Sequence, residues 1–399
     1  MNVELLAPAG SLENLRAALY FGADAAYCGG PMLQLRAEAA GMSLDTLAEA
    51  IRCTHEKGKK LYVTVNSFAK NDEIAAVGAY ARTLHEMGAD AVIVSDLGVL
   101  AEVRAAAPSL PAHISTQANA LNYRTVQVYR DLGASRVVLG REMTLAEIEA
   151  LSGKTAGIEL EVFVHGAMCM AYSGRCLLSS FLANRSGNRG ACAQPCRWQY
   201  YLVEKTRPGT AIPVIEADGA AAILSAADLN ALSLTPRLAA AGVASFKIEG
   251  RMKSPYYVAT VVNAYRRYMD GTAPLEACLA ELDCASHRPY SQGFYFGEAK
   301  ADPFNDGAYR SSCVFIGVVL DTRPGAALVE MRNRFAVGET LEILSPRSLG
   351  LSFEVTRIES ETGEKLTDVS LVQSHVWVAS PYALSPGDLL RRRAGAAEK

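Results

Sequence analysis

Residues Glu161 to Trp198 read EVFVHGAMCMAYSGRCLLSSFLANRSGNRGACAQPCRW and hold Cys169, Cys176, Cys192 and Cys196. Arg175, Arg185, Arg189 and Arg197 are interleaved with these thiols. Thiols this dense, in a chain whose first residues lack the basic and apolar regions of a secretion signal, point to metal ligation rather than a disulfide framework. The spacing is C-x6-C-x15-C-x3-C. Structural zinc favours closer pairs, and only one pair here qualifies. Iron–sulfur clusters need the same thiolates with freer spacing, so the pattern leans to a cluster, with zinc and free thiols as alternatives. The arginines would offset the negative charge of thiolates and cluster. Their guanidinium forks also suit an anionic substrate, which makes Arg175 and Arg197 candidate binding residues.

Other chemistry-bearing residues sit where apolar runs end. His165 directly precedes the thiols, and its ordinary pKa near ~6.5 suits proton transfer, although a structural histidine fits equally. Lys247 and Glu249 alternate with Phe246 and Ile248, so period two puts the charged pair on one face. Glu159 and Glu161 alternate in the same way, and Glu161 is placed to pair with Lys247 across neighbouring strands. Arg141 and Glu142, in LGRE, read either as a helix-start charge pair or as site residues. Gln117 ends a further run, and Arg251 follows Glu249.

The elements that must position these groups alternate. Short apolar runs such as VELLAPAG, KLYVTVN, DAVIVSD, IELEVFVHG and VASFKIEG have the look of strands buried on both faces. Amphipathic stretches such as SLENLRAALYFG and EIAAVGAYARTLHEMG separate them. The junctions GADAAY, GADAVIV, GASRVV and GVASFK each join a helix-ending glycine to a new strand. Eight such strands predict a closed (β/α)8 TIM-type barrel, the open doubly wound sheet being disfavoured because the first turn, APAGS, is no dinucleotide fingerprint. In such a barrel Asn66, Gln117, Arg141, Glu142, His165, Lys247, Glu249 and Arg251 fall on the C-terminal rim, and the cysteine-rich insertion, residues 167–222, rises from it after the seventh strand. The barrel is expected over residues 1–300. Residues 308–393 change to short turn-separated strands, CVFIGVVLD to DLLRRR, and predict a small antiparallel all-β barrel domain. Its Arg332, Arg334, Arg391, Arg392 and Arg393 read as a nucleic-acid face or as solvated charge.

The chain has 399 residues, 50% hydrophobic and 20% charged, with a formal net charge of -3, which neither favours nor excludes nucleic acid. No apolar run approaches the ~18–20 residues of a membrane span, so the protein reads as cytoplasmic with no membrane partner. Nothing in the sequence fixes an oligomeric state.

HGAMCMAYSGRCLLSSF with NRGACAQPCRW, FKIEGRMKSPYYVATVVNAYR and the opening LLAPAGSLENLRAAL together resemble the collagenase-like peptidase family of unknown catalytic type. The module with MRNRFAVGETLEILSP resembles the branch that makes 5-hydroxyuridine in bacterial tRNA. The resemblance spans nearly the whole chain. It implies a barrel, a 4Fe-4S cluster on Cys169, Cys176, Cys192 and Cys196, and prephenate-dependent hydroxylation of a wobble uridine in tRNA. Related branches act on ribosomal RNA or quinone precursors. Prephenate carries two carboxylates, which Lys247 and Arg251 would meet, with His165, Lys247 and Glu249 as the candidates for catalysis. Some members have a cysteine in a DLC motif where this chain reads AADLNAL, with Asn230; Cys28 is then the reserve ligand. Peptidase chemistry needs a nucleophile with a base or an open metal site, and neither HExxH nor GxSxG is present.

Overall fold

The computed structural model describes residues 1–35, 41–169, 171–172, 175–198, 201–203, 211–213, 227–297 and 309–394. The expected domain junction at 300–308 and parts of the insertion lie outside these residues.

By contacts the chain forms two units, one of residues 1–19, 23–253 and 288–309, the other of 20–22, 254–287 and 310–399. The helices Pro255–Asp270 and Leu275–Leu282, expected with the barrel, group with the C-terminal strands.

The first unit holds the strands β1 (Glu4–Pro8), β2 (Ala25–Gly29), β3 (Lys60–Val65), β4 (Ala91–Val94), β5 (Ala112–Ile114), β6 (Arg136–Val138), β7 (Glu159–Ala167) and β8 (Ser245–Ile248). Each pairs in parallel with the next, and β8 pairs with both β1 and β7, which closes the barrel. Six helices, α1 (Leu12–Tyr20), α2 (Leu44–His55), α3 (Asn71–Glu86), α4 (Leu97–Ala106), α5 (Tyr123–Asp131) and α6 (Leu145–Ser152), follow β1 to β6 in turn. The caps explain their starts. Asp96 accepts the N–H groups of Gly98 and Val99 before α4, and Thr144 with Glu147 forms a capping box before α6. The junction glycines Gly22, Gly88, Gly133 and Gly242 take φ of 102°, 88°, 87° and 80°, the left-handed turn that ends each helix.

Period two sorts the barrel strands. Leu6, Ala25, Tyr27, Tyr62, Ala91 and Ile93 form one apolar cluster inside. Nearer the strand starts the interior turns ionic. Glu161, with no exposed surface, accepts Lys247 Nζ at 2.7 Å and Arg136 Nη1 at 3.1 Å. Glu4 accepts Tyr62 Oη at 2.6 Å and Ser245 Oγ at 2.8 Å, and also pairs with Arg136. His113, edge-on to Tyr62, is held well below the ordinary imidazole value by burial and then by Arg136, so it stays neutral.

A strand that the sequence reading did not anticipate, Asp228–Asn230, pairs antiparallel with the end of β7, with Asp228 opposite Ala167 and Asn230 opposite His165. It pairs on its other side with Tyr290–Ser291. Arg288 fixes it there, giving Nε and Nη2 to Asp228 Oδ1 at 3.0 and 2.7 Å, with both side chains 1% exposed.

The second unit contains an eight-stranded sheet in the order Ser348–Glu354, Thr340–Ser345, Leu389–Arg393, Cys313–Arg323, Ala326–Met331, His375–Ala379, Ile358–Ser360 and Lys365–Leu366. Its pairs are antiparallel, and it buries Ile316, Val329, Phe335, Ile343 and Val376. Among the described residues the first and last strands of that order do not pair. The arginines read from the sequence as surface charge are engaged here. Arg391, 1% exposed, bonds Glu281 with both terminal nitrogens and Glu342 with Nε. Arg392 pairs with Glu339, Arg393 with Glu342, Arg332 with Glu330 and Arg334 with Asp368. Each of the five is paired with a carboxylate; Arg391 is buried, while the Arg334 side chain is 73% exposed.

Candidate active site at the C-terminal rim

The ends of β2, β3, β5, β6, β7 and β8 bring polar side chains to one rim. Arg251 Nη1 donates to Thr64 Oγ1 at 2.9 Å and to Gln34 Oε1 at 3.3 Å. Glycines make room for it. A Cβ on Gly29 would stand 2.7 Å from Arg251 Nη1, and one on Gly10 would stand 2.0 Å from the Arg251 carbonyl oxygen. Asn66, after β3, donates to Ser115 Oγ at 3.3 Å and accepts nothing at its buried Oδ1. Asn119 likewise has a buried Oδ1 without a partner. Gln117 is among the residues expected from the sequence; Gln34, Ser115 and Asn119 are not. Only the pattern of strand ends could have pointed to Ser115, and Gln34 and Asn119 lie beyond it.

Arg141 pairs with Glu249 at 2.7 Å, donates to the Ala167 carbonyl at 2.8 Å and stacks over the Phe163 ring at 3.9 Å. It thus couples the ends of β6, β7 and β8. Glu142 lies beside Gly140, where a Cβ would stand 3.0 Å from its Oε2. Gln117 lies in a single 3-10 turn, Thr116–Ala118, and its backbone N–H is bound by Ser115 Oγ.

Two candidates for catalysis sit deeper than expected. Lys247, 4% exposed, is inside the barrel on Glu161, with its ammonium 4.4 Å from the Tyr27 ring centre. The period-two reading of that pair is met, and it orders the interior. His165 is 1% exposed, its ring lies 5.4 Å from that of Tyr290, and its carbonyl accepts the Glu249 N–H at 2.9 Å. Neither is open to solvent in this arrangement. Asn230 uses Oδ1 to accept the Leu232 N–H at 3.2 Å. Cys28 is fully buried on the strand face opposite to Tyr27, and burial pushes its thiol up to about 12. That thiol faces away from the barrel interior.

The cysteine-rich segment is partly described. Cys169 and Cys192 are exposed, Cys176 and Cys196 half-buried, and none of the four is in a disulfide. Cys176 Sγ accepts the Leu178 N–H and Cys192 Sγ the Gln194 N–H, each at 3.3 Å. Among the described residues no three His, Cys, Asp or Glu side chains come close enough to hold one metal ion. The four thiols share a segment but are not assembled as a ligand set in this arrangement. Arg175 is exposed, and the Arg197 side chain lies outside the described residues. Tyr172 is 62%, Phe181 81% and Trp198 42% exposed, so Tyr172 and Trp198 are not packed away in the loop.

Arg189 ties this segment to α3. Its two terminal nitrogens bond the Glu73 carboxylate at 2.8 and 2.9 Å, and Nη1 also reaches the Phe68 carbonyl. The Arg189 hydrogen bonds, with the Lys70 N–H, lower the Glu73 carboxyl to about 2. The tie is complete above the ordinary value of 4.5 and is lost as pH falls through about 2. Glu73→Gln should cost less than about 1 kcal/mol of global stability, as for a partly exposed ion pair. It should nevertheless speed limited proteolysis within residues 175–198; unchanged cleavage would show that the tie does not hold the segment.

The model of peptidase family U32 matches residues 10–304, and that of the family's C-terminal domain matches residues 311–391. The chain belongs to peptidase family U32. Within this family it is 35% identical to a tRNA hydroxylation protein P of Escherichia coli, over 96% of this chain and 94% of that one. It is 37% identical to a 23S rRNA 5-hydroxycytidine synthase of the same organism, over 91% of this chain and 55% of that one. A collagenase of Porphyromonas gingivalis is 32% identical over 92% and 94%. The U32 family thus joins proteins named for RNA hydroxylation and for proteolysis. Among the described residues no helix is long and apolar enough to cross a membrane.

Proposed function

We propose that this chain hydroxylates RNA, with tRNA as its substrate and a wobble uridine as the base converted to 5-hydroxyuridine. The observation that carries the reading is the 35% identity to a tRNA hydroxylation protein along nearly the full length of both chains. The surface of the cysteine-rich segment supports it. Exposed Tyr172, Phe181 and Trp198 offer faces for unstacked bases, and exposed Arg175 offers charge for the phosphate backbone. Arg332, Arg334, Arg391, Arg392 and Arg393, each already on a carboxylate, are assigned no part in this. Prephenate is the proposed co-substrate, with Arg251 on the rim as the partner for a carboxylate. A 4Fe-4S cluster on Cys169, Cys176, Cys192 and Cys196 is the proposed cofactor and would supply electron-transfer chemistry. Because the described arrangement does not gather the four thiols, no step of this proposal runs through the cluster.

Deleting the coding sequence from its host should remove 5-hydroxyuridine-derived nucleosides from bulk tRNA, read by mass spectrometry. The intact sequence should restore them and Cys176→Ala should not. Anaerobically purified protein should be brown and contain iron, and the same variant should be colourless. An unchanged nucleoside profile in a host without a second copy would reject the tRNA reading. Colourless protein with stoichiometric zinc would reject the cluster. Cleavage of collagen-like peptides by the metal-loaded protein, with nucleosides unaffected, would favour the peptidase reading that the Porphyromonas gingivalis relative's name suggests.

A further inference from the structure

Two cysteines outside the metal-candidate segment meet within the C-terminal unit. Cys284 follows the helix Leu275–Leu282, and Cys313 opens the strand Cys313–Arg323. Their sulfurs are 2.9 Å apart and hydrogen-bonded, with 0% and 5% of the residues exposed. A disulfide needs a separation of about 2.05 Å, so a small side-chain shift closes the gap. The surroundings favour a thiolate. Arg393 Nη1 donates to Cys284 Sγ at 3.3 Å and Ser312 Oγ donates at 3.5 Å. The Arg391 guanidinium faces both sulfurs, and the Arg393 guanidinium faces Cys313 as well. The acids that face the pair, Glu281 and Glu342, are themselves bonded to Arg391. Tyr256, the remaining titratable neighbour, gives its hydroxyl proton to the Cys284 carbonyl.

We propose that Cys284 and Cys313 are a redox-active dithiol, a modification site at which a hydroperoxide drives formation of an intrachain disulfide. The pair shares one proton. Its hydrogen bond to Cys284, then the two guanidinium groups, bring Cys313 down to about 7 against the effect of burial. The same bond, then burial, pushes Cys284 up. Cys313, faced by both guanidinium groups, is the sulfur placed to attack, and Cys284, whose sulfur takes the Arg393 and Ser312 hydrogen bonds, is placed to resolve it. Its thiolate takes the terminal oxygen of the hydroperoxide, the O–O bond breaks, and the leaving oxygen departs as hydroxide or alkoxide and is protonated. Cys313 is left as a sulfenic acid. The Cys284 sulfur then attacks the Cys313 sulfur, the S–O bond breaks, and the hydroxide leaves with the Cys284 proton as water. Two thiols lose two electrons and two protons, and the hydroperoxide gains them. The product ties the turn after a helix to the first strand of the sheet, joining positions 29 residues apart.

The test uses the full chain, reduced and folded, exposed briefly to hydrogen peroxide, alkylated and digested without reductant. A linked peptide pair carrying Cys284 and Cys313, lighter by two hydrogens, is expected while buried Cys278 remains alkylatable after unfolding. In Cys284→Ser the sulfenic acid should accumulate on Cys313 and be trapped by a 1,3-diketone. In Cys313→Ser, Cys284 should stay a thiol. Recovery of both thiols intact from native wild-type protein, under conditions that oxidise exposed Cys192, would overturn the proposal, and so would a link that forms only after unfolding. The wild-type measurement decides the matter even if a serine variant fails to fold.

Discussion

Glu161→Ala should destabilise the barrel by about 3–5 kcal/mol, the cost of leaving buried charge without its partner. Glu161 has no exposed surface and serves two cations at once, Lys247 at 2.7 Å and Arg136 at 3.1 Å. Arg136 keeps Glu4, but the hydrogen bond of the Lys247 ammonium is to Glu161. Its other neighbours are the Tyr27 and Phe163 rings, whose faces offer much less than a carboxylate. Lys247 must then ionise in an apolar place or lose its proton, and either choice weakens the fold. Glu161→Met with Lys247→Met should recover most of the loss, since an apolar pair of similar size needs no desolvated charge. Denaturant midpoints and slopes for the three proteins check this. A midpoint for Glu161→Ala equal to wild type would mean that water reaches the interior and that the ion pair is not the barrel's internal brace.

Arg288→Ala should be of similar size, about 3–5 kcal/mol, and its effect should be local as well as global. The Asp228 carboxylate, 1% exposed, would lose two charge-assisted bonds and keep the Arg288 backbone N–H at 3.2 Å. The strand Asp228–Asn230 is only three residues long, so it has little ladder to fall back on. Hydrogen exchange should accelerate at Ala231, whose N–H is bound to the Val164 carbonyl, and at the paired end of β7. Arg288→Lys should recover part of the loss, because an ammonium cannot span the carboxylate as the guanidinium fork does. Exchange at Ala231 that matches wild type in Arg288→Ala would show that the strand is held by something else.

What the sequence made legible was local or periodic. The glycine junctions marked four helix-to-strand turns, because a left-handed residue between two elements has a compositional signature. The pairing of Glu161 with Lys247 followed from period two on adjacent strands. What stayed hidden depended on distant partners. Arg391 looked like one of three terminal charges, yet its partners lie 110 and 49 residues away, at Glu281 and Glu342. Asp228–Asn230 is too short for periodicity to show, and its anchor, Arg288, is 60 residues on. Cys284 and Cys313 have no motif spacing, so only the fold brings them together. At the site, Arg141 and Arg251 follow the ends of β6 and β8 as strand order implies, while the depth of His165 and Lys247 was not visible, since strand position gives a face but not a distance from solvent.

The opposition of Ala167 and Asp228 has a consequence for how this chain can change. The polypeptide leaves the barrel for the thiol-bearing excursion and re-enters it at one doorstep, one hydrogen-bonded pair wide. Closing a longer or shorter loop across those fixed ends changes the free energy only logarithmically, so its length is cheap to vary once the Arg189 bonds to Glu73 are given up. A chimera in which a brief glycine-containing hairpin joins those two positions should keep the barrel and discard only what the excursion contributes.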